Sequence, residues 1–333
     1  MRKRFKKKKT LTVFDCESLY RLLNVGFSPY DTLNLIKDEY NQDIIQEIQN
    51  RLNEGDTLKE AMESCYPKEI HTDVVAFSSF LPIEKSLEIS LRLKQKKEEA
   101  INQSIKILVY PMLLLLGTIG GVFLFNSFVF PTLINLMENF HTNHASYTLM
   151  HKTIHLLCIL AIVLSILILL IYLYFHFSKH KLRIYLKIQP FLKKTLLQKT
   201  ITLRFIRYFY SCYQTGIATK ETIHLLKNLT QDPIIMWMAN ELDQQFLQGD
   251  SLNEVMRQSY FDATLAKFIH VATNTSSLDA MLERYLLTTE ERIRLDLKRF
   301  SRQIQVLTYS MIGALLIFIY QILLLPLQAL SNI

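Results

Sequence analysis

The residues best grouped for chemistry are four histidines. His141, His144, His151 and His155 lie close together, and imidazole is a common zinc or copper ligand. Their spacing is loose, however, and only the distant Glu138 stands by to complete a set, so the plainer reading is loop and interfacial histidines. Two Gly-Asp pairs, Gly55-Asp56 and Gly249-Asp250, place a carboxylate at a turn, where a metal or phosphate role can be asked of it. Each pair also stops one helix just before the next begins, and that structural reading is the simpler one. The cysteines Cys16, Cys65, Cys158 and Cys212 form no CxxC and no metal-like spacing. The chain has no GxxxxGK[ST], no HExxH and no GxSxG. With eight glycines in 333 residues, a phosphate-cradling loop has nowhere to sit. No catalytic residue, cofactor-binding residue or metal ligand is assigned, and any ATP consumption belongs to a partner.

The elements around these residues are helices. Half the residues are apolar, while Gly and Pro number eight each, a composition that leaves little room for β-turns. Three apolar runs, Ile107–Phe130, Ile154–Phe177 and Leu307–Leu330, contain no Lys, Arg, Asp or Glu. Each reaches the roughly 20 residues that a membrane helix needs. Lys and Arg set the orientation. They crowd before the first run (Arg92, Lys94, Lys96, Lys97, Lys106), after the second (Lys179, Lys181, Arg183, Lys187) and before the third (Arg292, Arg294, Lys298, Arg299, Arg302). The connection 131–153 contains only Lys152. The expected layout is an all-α, multi-pass cell-membrane protein. It comprises a tail at 1–14, a cytoplasmic region at 15–106, spans at 107–130, 154–177 and 304–330, a short outer loop at 131–153 and a second cytoplasmic region at 178–303. The N-terminus is inside and the C-terminus outside.

Arg2–Lys9 holds seven basic residues in eight positions and supplies most of the net charge of +8. Polar, helix-forming sequence follows it, so a secretory signal peptide is not expected. Two readings stay open: adhesion to anionic membrane lipid, and a solvated tail. Direct nucleic-acid binding is not expected, because no aromatic platform or reading helix accompanies the charge.

The two polar regions resemble each other. Asn24–Ile36 (NVGFSPYDTLNLI) matches Gln214–Leu226 (QTGIATKETIHLL), and Leu52–Met62 (LNEGDTLKEAM) matches Phe246–Met256 (FLQGDSLNEVM). Lys96–Ile101 then falls opposite Thr288–Ile293, so the matches recur in order about 190–195 residues apart. Gly26 and Gly216 are placed to end a helix in the left-handed conformation. Ser28 before Pro29 reads as an N-cap with Pro at the first helical position. Thr57 with Glu60, and Ser251 with Glu254, read as capping boxes. The spacing predicts two homologous antiparallel helical-bundle modules of short helices. The last helix of each is long and continuous with a membrane span, over about Ile83–Phe130 and Ser276–Leu325.

With these motifs in place, the chain resembles the type II secretion system F / PilC / ComGB family of inner-membrane platform proteins over roughly residues 15–330. The duplicated helix-Gly-helix and the twin GDTLKEAM and GDSLNEVM carry the resemblance. Tyr110-Pro111, Phe130-Pro131 and Leu323–Leu330 (LLLPLQAL) agree with it. One departure is clear. The family's Gly-Glu and following Gly before each long helix are absent from Ala76–Leu87 and Val271–Leu282, which puts in doubt any contact made by that carboxylate. The basic N-terminus and the Lys-, Ile- and Asn-rich usage look more like the competence version from Gram-positive bacteria. The resemblance implies a non-catalytic platform for a DNA-uptake pilus. The implied partners are a hexameric cytoplasmic assembly ATPase, major and minor pilins, and further copies of the chain. A type II secretion or other type IV pilus platform is the neighbouring alternative.

Within the spans, Gly117 and Gly121 form a GxxxG, beside Gly120, that permits close helix packing in lipid. That packing is open between an intramolecular neighbour, another protomer and a pilin. Gln321, an amide deep in the third span, is expected to face a helix. Pro111, Pro131 and Pro326 can kink or end their spans. Phe205–Tyr213 (FIRYFYSCY) reads as a helix packing its apolar face into the bundle. A small transporter would need polar groups or broken helices at mid-membrane, and a membrane peptidase would need paired Asp there. Only Gln321 is available.

Overall fold

The computed structural model describes residues 10–132, 156, 181–191, 195–229, 232–275 and 277–331. The polybasic tail, the histidine group and nearly all of the second apolar run lie outside the described residues. So do the side chains of Gln321 and Pro326. Among the described residues the structure is helical, without strands.

Local chemistry sets the helix ends. Helix α1 (Val13–Val25) starts at a capping box in which Thr12 and Asp15 each accept from the other's backbone N–H. It ends at Gly26, where φ is 100°. The N–H groups of Gly26 and Phe27 then reach the carbonyls of Leu23 and Leu22, satisfying two otherwise orphaned acceptors. Ser28 accepts from the Asp31 N–H at 3.1 Å to cap α2 (Pro29–Ile36), with Pro29 in its first turn. Helix α3 (Gln42–Asn53) stops before Gly55, at φ 101°, and Thr57 and Glu60 form the box that opens α4 (Leu58–Met62). Helices α5 (His71–Phe77) and α6 (Ile83–Leu124) follow.

After α7 (Lys181–Ile188) and a short 3-10 turn, Gln189–Phe191, the same succession recurs. Helix α8 (Leu196–Gln214) precedes Gly216 at φ 80°, and α9 (Thr219–Lys227) follows. Helix α10 (Pro233–Leu247) precedes Gly249 at φ 93°. The Ser251–Glu254 box opens α11 (Leu252–Val255), and α12 (Ala263–Thr275) and α13 (Leu278–Ser331) complete the order. The two successions differ in detail. Helix α8 has 19 residues against 13 in α1, and Ala218, standing where Ser28 stands, gives α9 no side-chain cap.

The chain divides into two compact units. One combines residues 1–101 with 181–293; the other combines 102–180 with 294–333. The first unit has two apolar cores. The smaller is built from residues 11–87 alone, including Leu19, Ile45, Ile48, Met62, Val74 and Leu87. The larger is built around Phe205, Leu226, Met238, Leu265 and Tyr285, and it takes in Ala76, Phe77, Ile89 and Leu93 from the first segment. Helix α5 and the start of α6 therefore bury two faces: Val74 and Leu87 on their own side, Ala76, Phe77, Ile89 and Leu93 on the other.

In the second unit, the Tyr110 and Tyr309 hydroxyls of α6 and α13 lie 3.5 Å apart. Helix α6 passes through Pro111 without ending and continues through a π turn, Phe125–Val129, to Pro131 and Thr132. This helix, Ile83–Thr132, is long and apolar enough to cross a membrane by length and composition. Its 42 regular residues span about 63 Å at 1.5 Å each, roughly twice the hydrocarbon thickness. The 54 residues of α13 likewise exceed what a bilayer needs.

Candidate functional site

The two segments of the first unit meet along one face of each. Helix α8 places Tyr208 on the outside of its own bundle, toward α5. Its hydroxyl donates to Asp73 Oδ1 at 3.0 Å, and its ring stacks on Phe77 with centroids 6.5 Å apart. Phe80 meets the ring of His224 edge-on at 5.8 Å. At the end of α8, Gln214 Oε1 accepts from the Arg92 guanidinium at 3.1 Å, while Arg92 also pairs with Glu88. Ion pairs within the second segment brace the receiving helix. Arg204 pairs with Asp232 at 3.0 Å, and Arg207 with Glu290 of α13 at 2.8 Å.

Electrostatically the meeting point is unusual. Burial pushes the Asp73 carboxyl up to about 6, against the opposing pull of the Tyr208 hydrogen bond and of Lys97, while Asp232 adds to the rise. Burial, and then the neighbouring Asp73, push the Tyr208 hydroxyl well above its ordinary range. The pair is thus a neutral donor facing a carboxylate that titrates just below neutrality. The buried thiols of Cys16 and Cys212 are both pushed up to about 12, chiefly by desolvation, and are inert at neutral pH.

The residues singled out by sequence fall in three places. Gly26, Gly55, Gly216 and Gly249 all sit at positive φ, at corners between helices. Asp56 accepts from Arg51 Nε at 2.7 Å, a local pair across the α3–α4 turn, while the Asp250 backbone N–H reaches back to the Gln245 carbonyl at 3.2 Å. Among the described residues, no three His, Cys, Asp or Glu side chains are grouped to hold a metal ion. Gly117 and Gly121 line a groove of about 390 Å³, shared with Leu113, Leu114, Thr118, Ile312 and Leu315. A methyl added at either glycine would meet nothing within 4 Å, so these glycines open a groove and do not form a tight crossing of α6 with α13. The Thr118 hydroxyl donates to the Leu114 carbonyl at 2.9 Å, which leaves the groove effectively apolar.

Sequence reasoning missed Asp73, Arg92, Gln214 and His224. Tyr208 lay in the aromatic run noted above, and Asp73 is a carboxylate beside the apolar stretch VVAF of helix α5, HTDVVAF; a charge next to that stretch was the available signal. Its partner, 135 residues away, was not readable.

Comparison with known proteins bears on the second segment. No curated protein matches the chain. The family model for Type II secretion system (T2SS), protein F matches residues 205–326, from within α8 into the last third of α13, and so ties this part of the chain to a membrane-associated family of secretion and pilus-assembly platforms.

Proposed function

We propose that this protein is a non-catalytic inner-membrane platform that couples a cytoplasmic assembly ATPase to the polymerisation of pilin subunits, serving a DNA-uptake pilus. The family match over residues 205–326 carries the reading. Those residues run from within α8, through the helix-Gly-helix corner at Gly216, down the long helix that ends in the third apolar run.

In this reading the two segments are homologous cytoplasmic modules, held on three membrane helices, with the N-terminus inside. The tail at residues 1–14 rests on anionic lipid, and no nucleic acid is bound directly. The platform has no chemistry of its own to perform. Its work is to transmit displacement. Helices α6 and α13 are suited to that, because each is continuous and far longer than a bilayer is thick. A push on the short helices packed against their cytoplasmic ends is passed on without a flexible linker. The apolar groove at Gly117 and Gly121 is the place on the span where another apolar helix would fit.

In-cell crosslinking with mass spectrometry, using a tagged chain at its native level, tests the proposal. The expected result is a hexameric secretion-type ATPase crosslinked to residues 1–106 or 178–303, with a pilin on the spans. The pilin's identity then separates DNA uptake from secretion or adhesion. Recovery of other membrane complexes with neither partner present would sink the platform reading.

A further inference from the structure

The two segments of the first unit are joined unlike face to unlike face, and this leaves one face of each kind unused. Within the chain, α5–α6 of the first segment seats on α8–α9 of the second, through Asp73–Tyr208, Phe80–His224 and Arg92–Gln214. The second segment has its own counterpart of α5–α6, namely α12–α13, and the first has its own counterpart of α8–α9, namely α1–α2. A joint of this kind is heterologous, and a heterologous joint can be repeated from molecule to molecule.

The side chains support such repetition. Matched through Gly26 and Gly216, Ile217 corresponds to Phe27 and Leu225 to Leu35. Ile217 and Leu225 are 8% and 0% exposed inside the shared core, whereas Phe27 and Leu35 are 44% and 60% exposed. Phe14 and Val25, on the same helix pair, are 75% and 76% exposed. These are large apolar groups on a part of the chain outside the apolar spans, where leaving them in water is unfavourable. On the other side, Leu87 and Leu282 are both fully buried and fix the register of α6 against α13. In that register, which sets Lys96 opposite Glu291 and not Thr288, Arg284 and Thr288 take the places of Ile89 and Leu93, Leu287 takes the place of Arg92, and Val271 the place of Ala76. Leu287 and Val271 are 56% and 44% exposed.

We propose that the chain associates with copies of itself head to tail, with the α12–α13 face of one copy seated on the α1–α2 face of the next. The joint repeats the one inside each chain. This rests on reading the two segments as copies of one module, and it specifies the contact. Leu287 of one chain should lie beside Asn24 of its neighbour, as Arg92 lies beside Gln214.

The test uses the full chain in its native membrane, with the native cysteines replaced by alanine. Arg92→Cys with Gln214→Cys in one chain should crosslink internally with a short bismaleimide. Two differently tagged chains, one carrying Asn24→Cys and the other Leu287→Cys, should give a crosslinked dimer bearing both tags. Adding Phe27→Glu and Leu35→Glu to the Asn24→Cys chain should reduce that band tenfold or more, and the internal crosslink should remain. An internal crosslink without the mixed dimer overturns the head-to-tail contact and leaves the two-module reading standing. Asn24–Asn24 dimers in its place would mean a symmetric contact and overturn it equally. Loss of the internal crosslink in a chain that still inserts would remove the template on which both readings depend.

Discussion

The corner at Gly216 and the corner at Gly26 are written in nearly the same local code and live in different surroundings. Both end a helix with a left-handed glycine, both start the next helix within three residues, and both bury a threonine followed by an aliphatic side chain (Thr32–Leu33 and Thr222–Ile223). Yet the outward side of the second corner is covered by α5–α6, and the outward side of the first stands in solvent. Backbone conformation is therefore settled by the short-range pattern, while burial is settled by which face has been met. The same helix-Gly-helix serves as core in one segment and as surface in the other.

The largest effect expected from that contrast is on apolar truncation. Leu225→Ala empties a fully buried position and should cost about 2–5 kcal/mol. Leu35→Ala, at the matched exposed position, should stay within about 0.5 kcal/mol in the isolated chain. Denaturant unfolding of the detergent-solubilised protein, followed by helical circular dichroism, measures both, and equal losses would break the comparison.

A second contrast is in pH dependence. The covered corner has a half-buried carboxylate, Asp73, across the joint. The folded-state pKa of Asp73 is raised from 3.8 to about 6, so the folded form holds its proton more tightly than the unfolded chain does. The resulting stabilisation is full below about pH 4 and is lost as pH rises through about 6. It amounts to as much as about 3 kcal/mol at roughly 1.4 kcal/mol per pKa unit. Asp73→Asn should flatten this part of the stability profile between pH 4 and 7. Tyr208→Phe leaves the carboxylate without its donor and should cost about 1–3 kcal/mol at pH 7.5, less at pH 5.

Smaller effects should be shared by the two segments. Gly26→Ala and Gly216→Ala each force a side chain into positive φ with open space around it. Each should lose about 1–2 kcal/mol, by the same unfolding measurement. Thr57→Ala and Ser251→Ala each remove the acceptor of a capping box and should cost about 1 kcal/mol apiece. Marked inequality within either pair would mean that the corners differ locally as well as in their surroundings.

This division also explains how much was legible in advance. Helix ends marked by glycine, proline or a capping pair could be read, because the residues that fix them lie within four positions of each other. The long helices at Ile83 and Leu278 were legible for a related reason: a polar helical stretch runs into an apolar one with no breaker between them. The joint between the segments was not. Asp73 and Tyr208, or Arg92 and Gln214, are brought together by packing alone, and no periodicity encodes which outward face meets which. For Gly117 and Gly121 the small-residue spacing was visible, but whether it closes on a neighbour or opens a groove depends on the distance between α6 and α13, which side-chain types do not specify.

The platform role is tested by deleting the chain from the cell that encodes it, with the assembly ATPase and pilins still produced, and measuring pilin in the sheared surface fraction. Assembled pilin should disappear, processed pilin should remain in the membrane, and the wild-type chain should restore assembly. Pili assembled at normal levels without the chain would contradict it.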